Sequence, residues 1–290
     1  MSASLSPIIA GVMNWGIWDK NLNTKEFSHL IHLFIENGIT TFDHADIYGG
    51  YTTEAAFGKA LSESKIDRKK IQLITKCGIQ YTSENRPNNL IKHYEYSKDY
   101  IIWSAENSLK NLQADYLDVF LLHRPSPLMQ ADEIAEAVAK LKADGKILSF
   151  GVSNFTPSQT ELLRQKTEIS FNQVQFSATH HEAMLDGSFD YMQIHNITPM
   201  AWNPLGTVFR ENTDQTFRLR QLLAKLVEKY HMGSDIILLA WIMQHPAGIL
   251  PVAGTVNPGR IQQLMKAKSL VLDKQDWFAI WTESMGHKVP

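Results

Sequence analysis

An eight-stranded (β/α)8 barrel, the TIM barrel of the α/β class, is the architecture predicted for this chain, and three observations point to it. Short apolar runs alternate with amphipathic segments about eight times along the 290 residues, near the ~30-residue spacing that strand–helix–strand units require. The runs are apolar throughout instead of alternating, which suits a parallel sheet covered on both faces. The length fits a barrel, typically ~250 residues. A doubly wound open sheet is the competing architecture, but no G-x-G-x-x-G follows the first apolar run, and the glycines of YGGY have the wrong spacing. No linker-like stretch divides the chain, so residues 1–290 read as one domain.

The elements justify themselves in order. Residues 7–10 form a short first strand. Phe27, Leu30, Ile31, Phe34 and Ile35 give residues 24–37 helical spacing, with Thr24 as the expected N-cap and Gly38 as the stop. Residues 39–43 are a strand, 53–64 a helix and 71–76 a strand. A polar insert with little periodicity, residues 79–98, precedes a helix over 99–112 and a strand over 117–123. Residues 132–143 are a helix stopped by Gly145, and 147–153 a strand. Thr156 caps the next helix with Pro157 at its first position. Strands over 171–176 and 197–202 are followed by helices over 213–230 and 234–244. The last strand covers 249–253 and the next helix 258–267.

Composition narrows the partners. A net charge of −2, with Lys and Arg spread along the chain, gives no nucleic-acid surface. The longest apolar run, 236–243, is far shorter than the ~20 residues of a membrane span, and the N-terminal MSASLSP lacks a leader's basic and apolar regions. One cysteine, Cys77, excludes an internal disulfide framework. The default location is cytoplasmic.

In a barrel, catalytic groups sit at the C-terminal ends of the strands. Here the second strand ends in Asp43, the third in Lys76, the fourth in His123 and the fifth in Ser153 and Asn154. The sixth carries Asn172 and Gln173, the seventh ends at Trp202 and Asn203, and the eighth runs into Gly254 and Thr255. A buried Lys76 ammonium paired with Asp43 stays charged. A phenol beside it, Tyr48 on a glycine-hinged turn, is expected to have its pKa drawn down from ~10 toward the working range and to protonate a developing alkoxide. His123 would hold the carbonyl oxygen by a hydrogen bond. The set reduces a carbonyl if something supplies hydride. Each residue alone has an ordinary structural explanation: a turn cap for Asp43, packing for Tyr48, a snorkelling Lys76, a loop histidine at 123. The four together at separate strand ends are the specific feature.

These stretches, FDHADIYGGYTTEAAFGKAL, LITKCG, YLDVFLLHRP, GKILSFGVSNF, FNQVQFS, AWNPLG and PVAGTVNPGRI, resemble the aldo-keto reductases in the same order from about residue 10 to 265. HADIYGGY and HRPSPLM look closest to bacterial YdhF-type oxidoreductases. The resemblance implies a metal-free barrel, monomeric or weakly associated, that uses NADPH to reduce an aldehyde or ketone. It implies Tyr48 as general acid, Lys76 as its pKa depressor, Asp43 as the partner of Lys76 and His123 as the group orienting the carbonyl. It places Ser153, Asn154 and Gln173 on the nicotinamide carboxamide and Trp202 where an aromatic ring stacks on the nicotinamide. Asn203, Leu205 and Gly206 would lie along the pyrophosphate, and Gly254, Thr255, Arg260 and Gln263 in the adenosine-phosphate segment, where Thr255 and Arg260 fit a 2′-phosphate.

Two positions depart from the pattern. Many relatives carry Lys where this chain has Gly254, which removes one cation and leaves NADH open beside NADPH. Arg124 stands where many relatives have Trp, and either reshapes the substrate pocket or points outward. Two rival readings stay in view: a cofactor-binding regulatory subunit with little turnover, and a metal-dependent hydrolase built on His44, Asp46 and His123. Cys77 is expected on the opposite face from Lys76, buried and inert. Tyr94, Tyr96, Tyr100 and Trp103 either wall a pocket or dock the insert, and the C-terminal DWFAIWTESMGHKVP is a candidate cover for the mouth.

Overall fold

The structure, a computed structural model, describes residues 4–290, so the first three residues of the N-terminal segment read above lie outside the described residues. Eight parallel strands close into a barrel: β1 (Ile9–Gly11), β2 (Thr41–Asp43), β3 (Gln72–Cys77), β6 (Leu117–Leu122), β7 (Ile147–Ser153), β8 (Phe171–Gln175), β9 (Thr198–Trp202) and β10 (Leu250–Ala253). Two further strands, β4 (Ile79–Gln80) and β5 (His93–Tyr94), pair antiparallel outside the barrel. The helices are α1 (Thr24–Glu36), the single turn α2 (Tyr48–Tyr51), α3 (Thr53–Ser64), α4 (Lys98–Leu112), α5 (Ala131–Ala143), α6 (Pro157–Arg164), α7 (Ser188–Ile194), α8 (Asp214–Tyr230), α9 (Ser234–Met243), α10 (Pro258–Leu264), α11 (Lys266–Ser269) and α12 (Lys274–Met285).

Strand periodicity sorts the side chains. Ile9, Ile74, Val119, Leu121, Phe171, Met200 and Val252 fill the barrel interior as one small buried cluster. Their neighbours Ala10, Leu73, Phe120, Val152 and Ala201 join the larger cluster between sheet and helices. Because side chains alternate, the same parity that turns Ile74 and Val119 inward also turns Lys76 and His123 inward at the mouth. Asp43, Ser153, Gln173 and Trp202 follow the same rule on their own strands. Cys77 has the opposite parity; it is fully buried in the outer cluster, where burial pushes its thiol pKa well up.

Several boundaries move from expectation. Asn23, not Thr24, caps α1: its side chain accepts from the backbone of Lys25 and Glu26, and Glu26 returns a bond to the Asn23 N–H. The reciprocal box needs an acid three residues past the cap, which Thr24 lacks. Thr156 does cap α6, with Gln159 closing the box and Pro157 at the first turn. The segment 258–267 breaks at Met265 into α10 and α11.

Two helices, α7 and α12, were not anticipated. α12 packs against α8 on the outside of the barrel. Trp277 and Trp241 of α9 stack at 5.1 Å, and each indole N–H donates to the other's backbone carbonyl. Its C-terminal part reaches the loop after β8, where the Trp281 ring meets that of His181 at 6.3 Å and the Ser284 hydroxyl donates to the Ala178 carbonyl.

Candidate active site

The turn after β2 explains the glycine pair. Gly49 and Gly50 sit at φ 60° and 61°, the left-handed region open to glycine, and Tyr51 follows at φ 73°. This reversal holds Tyr48 over the strand ends. The polar insert braces it: Asn85 Nδ2 donates to the Gly50 carbonyl at 2.8 Å, and the Tyr51 hydroxyl accepts from the Tyr81 N–H at 2.8 Å. The Arg86 guanidinium lies between the rings of Tyr51 and Trp103, at 4.8 and 4.6 Å.

Lys76 Nζ lies at the centre, fully buried. It donates to Asp43 Oδ1 at 2.8 Å and Oδ2 at 2.7 Å, to the His44 carbonyl at 2.8 Å and to the Tyr48 hydroxyl at 3.2 Å. Burial alone would lower the lysine pKa, but Asp43 and Tyr48 outweigh it and the net shift is upward, so the ammonium keeps its charge. The Tyr48 phenol moves against expectation. Burial raises its pKa, the Lys76 charge lowers it, and Asp43 raises it again, with a net upward result. Tyr48 is therefore protonated at neutral pH. The lysine's influence is felt on the phenolate once the proton leaves, and does not pre-ionise the ring.

His123 faces Tyr48 edge to face, with ring centroids 6.1 Å apart. Burial, then the positive charges of Lys76, Arg124 and Lys92, holds its imidazole pKa well below the usual value. A neutral ring with a buried, unpartnered Nδ1 results. Trp18, from the loop after β1, stands 6.1 Å from Tyr48 and 6.0 Å from Tyr81, ring to ring. Nothing in its local pattern marked it, because only the closed barrel brings that loop to the mouth.

The residues expected to hold a nucleotide fall into two groups. Ser153 Oγ donates to the Gln173 carbonyl at 2.9 Å, Asn154 Nδ2 donates to Ser153 Oγ at 2.8 Å, and Trp202 Nε1 donates to Asn154 Oδ1 at 2.9 Å. Gln173 Nε2 donates to Asp43 Oδ1 at 2.9 Å, so this shelf is wired directly to the lysine's counter-ion. Asn154, Asn203 and Gly206 all have positive φ, near 61°, 53° and 56°. Arg210, which sequence reasoning missed, donates to both Asn203 Oδ1 and the Gly206 carbonyl at 2.7 Å. Leu205 packs half-buried against the outer core.

Gly254 and Thr255 follow β10, and Arg260 and Gln263 lie on α10, where they line a cavity of about 270 Å³ with Gly233, Asp235 and Ile236. Asp235 was also missed. These amides, hydroxyls, positive-φ turns and exposed cations suit a dinucleotide laid from Trp202 to α10.

Behind the site lies a second buried polar layer. Thr75 Oγ1 donates to Glu54 Oε1 at 2.6 Å, and the Tyr100 and Ser104 hydroxyls donate to Asp46 Oδ2 at 3.3 and 3.4 Å. Burial raises the pKa of both Glu54 and Asp46. No cluster of three or more His, Cys, Asp or Glu able to hold a metal ion occurs among the described residues.

His44 is fully buried edge-on to Phe57 at 4.4 Å, and neither ring nitrogen finds a partner. Burial, with the Lys76 charge, lowers its pKa from 6.5 to about 3. Its folded value lies below its unfolded one. Its contribution to stability is therefore complete above pH 6.5 and is lost as pH falls toward 3, by on the order of 4 kcal/mol at the acid end. His44→Leu is expected to keep or raise stability at pH 7 by about 1 kcal/mol. It should also flatten the loss between pH 7 and about pH 4, as read by urea unfolding at both.

Residues 7–282 match the Aldo/keto reductase family, and the chain belongs to it as an oxidoreductase. It is 44% identical to the uncharacterized oxidoreductase YcsN of Bacillus subtilis (strain 168), over 98% of this chain and 96% of that one. It is 41% identical to the oxidoreductase YdhF of Escherichia coli (strain K12), over 95% and 93%. A 6-dehydroglucose reductase of Agrobacterium fabrum is 35% identical over 98% and 96%. Among solved structures, a Klebsiella pneumoniae aldo-keto reductase in complex with NADPH shares the fold at a TM-score of 0.77 and 24% identity, over 96% of this chain and 90% of that one.

Proposed function

We propose that this oxidoreductase reduces a small aldehyde or ketone to the alcohol with NADPH, in one barrel domain spanning residues 1–290. The single observation carrying the reading is the Lys76 ammonium held between the Asp43 carboxylate and the Tyr48 hydroxyl. Bound nicotinamide supplies the hydride. Tyr48 gives its phenolic proton to the carbonyl oxygen as charge builds there. Lys76 stabilises the phenolate left behind, and Asp43 keeps the ammonium aimed and neutralised. His123, uncharged, offers a hydrogen bond that fixes the oxygen without competing as an acid. Trp18 and Tyr81 supply an aromatic wall beside Tyr48 against which a small carbonyl compound can pack.

The cofactor reading rests on the donor set. Ser153, Asn154 and Gln173 suit the carboxamide, Trp202 the ring face, and Asn203, Leu205, Gly206 and Arg210 the pyrophosphate. Gly254, Thr255, Arg260 and Gln263 suit the adenosine phosphate. With Gly254 in place of a cation, and Asp235 lining the same cavity as Arg260, NADPH is expected to bind more tightly than NADH by a modest factor, about 10-fold. Quenching of tryptophan fluorescence during titration with each nucleotide measures this, and equal affinities would count against Arg260 as a phosphate reader. Turnover of NADPH with a panel of aldehydes tests the reaction itself. Tight binding without turnover across the panel would favour a regulatory subunit.

A further inference from the structure

Arg124 follows His123 in the chain and takes no part in the proton transfer. Its guanidinium turns toward the mouth, with Cζ 5.5 Å from the centre of the Trp202 ring. It makes no ion pair with any described carboxylate. That is unusual for a half-buried cation: the fully buried Lys76 is neutralised by Asp43. The charge of Arg124 reaches both Tyr48 and His123, and Lys92 adds to it at His123.

The backbone that carries the cation is also held in place. The hydroxyl of Tyr96, a residue 5% exposed, donates to the Arg124 carbonyl at 2.5 Å and accepts from the Arg124 N–H at 3.2 Å. Tyr96 can sit there because Gly78 has φ 110° and no side chain. A Cβ at that position would lie 2.0 Å from the tyrosine ring. On the other side, the Trp202 indole beneath the guanidinium is fixed by its bond to Asn154. An anchored backbone and the neighbouring ring therefore set a planar, positively charged group near Tyr48 and His123, and a guanidinium fork matches a carboxylate with two parallel hydrogen bonds.

We propose that Arg124 is a substrate-binding residue that reads a carboxylate carried by the carbonyl substrate, so that the natural substrates are aldehyde or keto acids. This rests on the reductase reading above, and the test separates the two. Steady-state reduction of 3- and 4-carboxybenzaldehyde is compared with that of their neutral methyl esters, for the wild type, Arg124→Gln and Arg124→Lys at saturating NADPH. Wild type should favour at least one acid over its ester by about 10-fold or more in kcat/KM, and added salt should shrink the preference.

Arg124→Gln should lose about 10- to 100-fold on the acid, mainly through KM, with the ester changed by less than about 3-fold. Arg124→Lys should fall between, keeping the charge without the fork. Calorimetric titration with the alcohol 4-(hydroxymethyl)benzoate should show the same weakening in Arg124→Gln, while NADPH affinity is unchanged. Wild type that reduces the esters as well as the acids would overturn this proposal alone. Equal losses on acid and ester would do the same, by assigning Arg124 to folding or to the cofactor. A wild type that reduces none of the four would overturn the reductase reading, and this proposal with it.

Discussion

Tyr48→Phe is expected to reduce the rate of carbonyl reduction by about 10²- to 10⁴-fold while leaving NADPH affinity within about 2-fold. The ring stays and its packing against Trp18 and His123 is preserved; only the proton and the bond to Lys76 Nζ are lost. Stopped-flow reduction and nucleotide titration measure the two quantities on the same preparation. Because the net pKa shift of Tyr48 is upward, the phenol holds its proton through neutral and mildly alkaline pH. Reduction should therefore decline only on the alkaline side, as that proton is lost. A rate that keeps the wild-type value in the Phe variant would remove Tyr48 from the chemistry.

The larger effect on the fold belongs to Lys76. Lys76→Met strands the Asp43 carboxylate, 3% exposed, with the Gln173 amide as its one remaining side-chain partner among the described residues. Removing one partner of a buried pair costs about 3–5 kcal/mol because the other is left charged without compensation. The variant should unfold at markedly lower denaturant and show no measurable reduction. Asp43→Asn combined with Lys76→Met removes both charges. It should recover most of the lost stability and none of the activity. Recovery of both would mean the pair serves the core and not the reaction.

Much of the site could be read before any coordinates because period-two alternation is a local rule. Once the apolar runs were recognised as barrel strands, the parity of Ile74 and Val119 fixed the direction of Lys76 and His123. The resemblance to known reductases extended this to Ser153, Gln173 and Trp202. What escaped the sequence depends on how individual loops fold and on where barrel closure brings them. Arg210 meets Asn203 and Gly206 only through the fold of the loop after β9, and Trp18 meets Tyr48 only after barrel closure. The insert showed no period because its two-residue strands are too short to carry one; its order comes from Asn85, Arg86 and Tyr51. The sign of the Tyr48 shift was missed for a related reason. Proximity to lysine was legible, whereas the extent of burial that outweighs it was not.

The left-handed turn at Gly49 and Gly50 has a consequence for how this enzyme can diversify. The same few residues present the proton donor and moor the insert, through the Gly50 carbonyl and the Tyr51 hydroxyl. Changes near Ser83 to Arg86 therefore disturb the chemistry as well as the shape of the rim. The far tip, at Leu90 and Ile91, is 86% and 71% exposed and is bound to neither. Drift in substrate preference can accumulate there without touching the acid that drives the reaction.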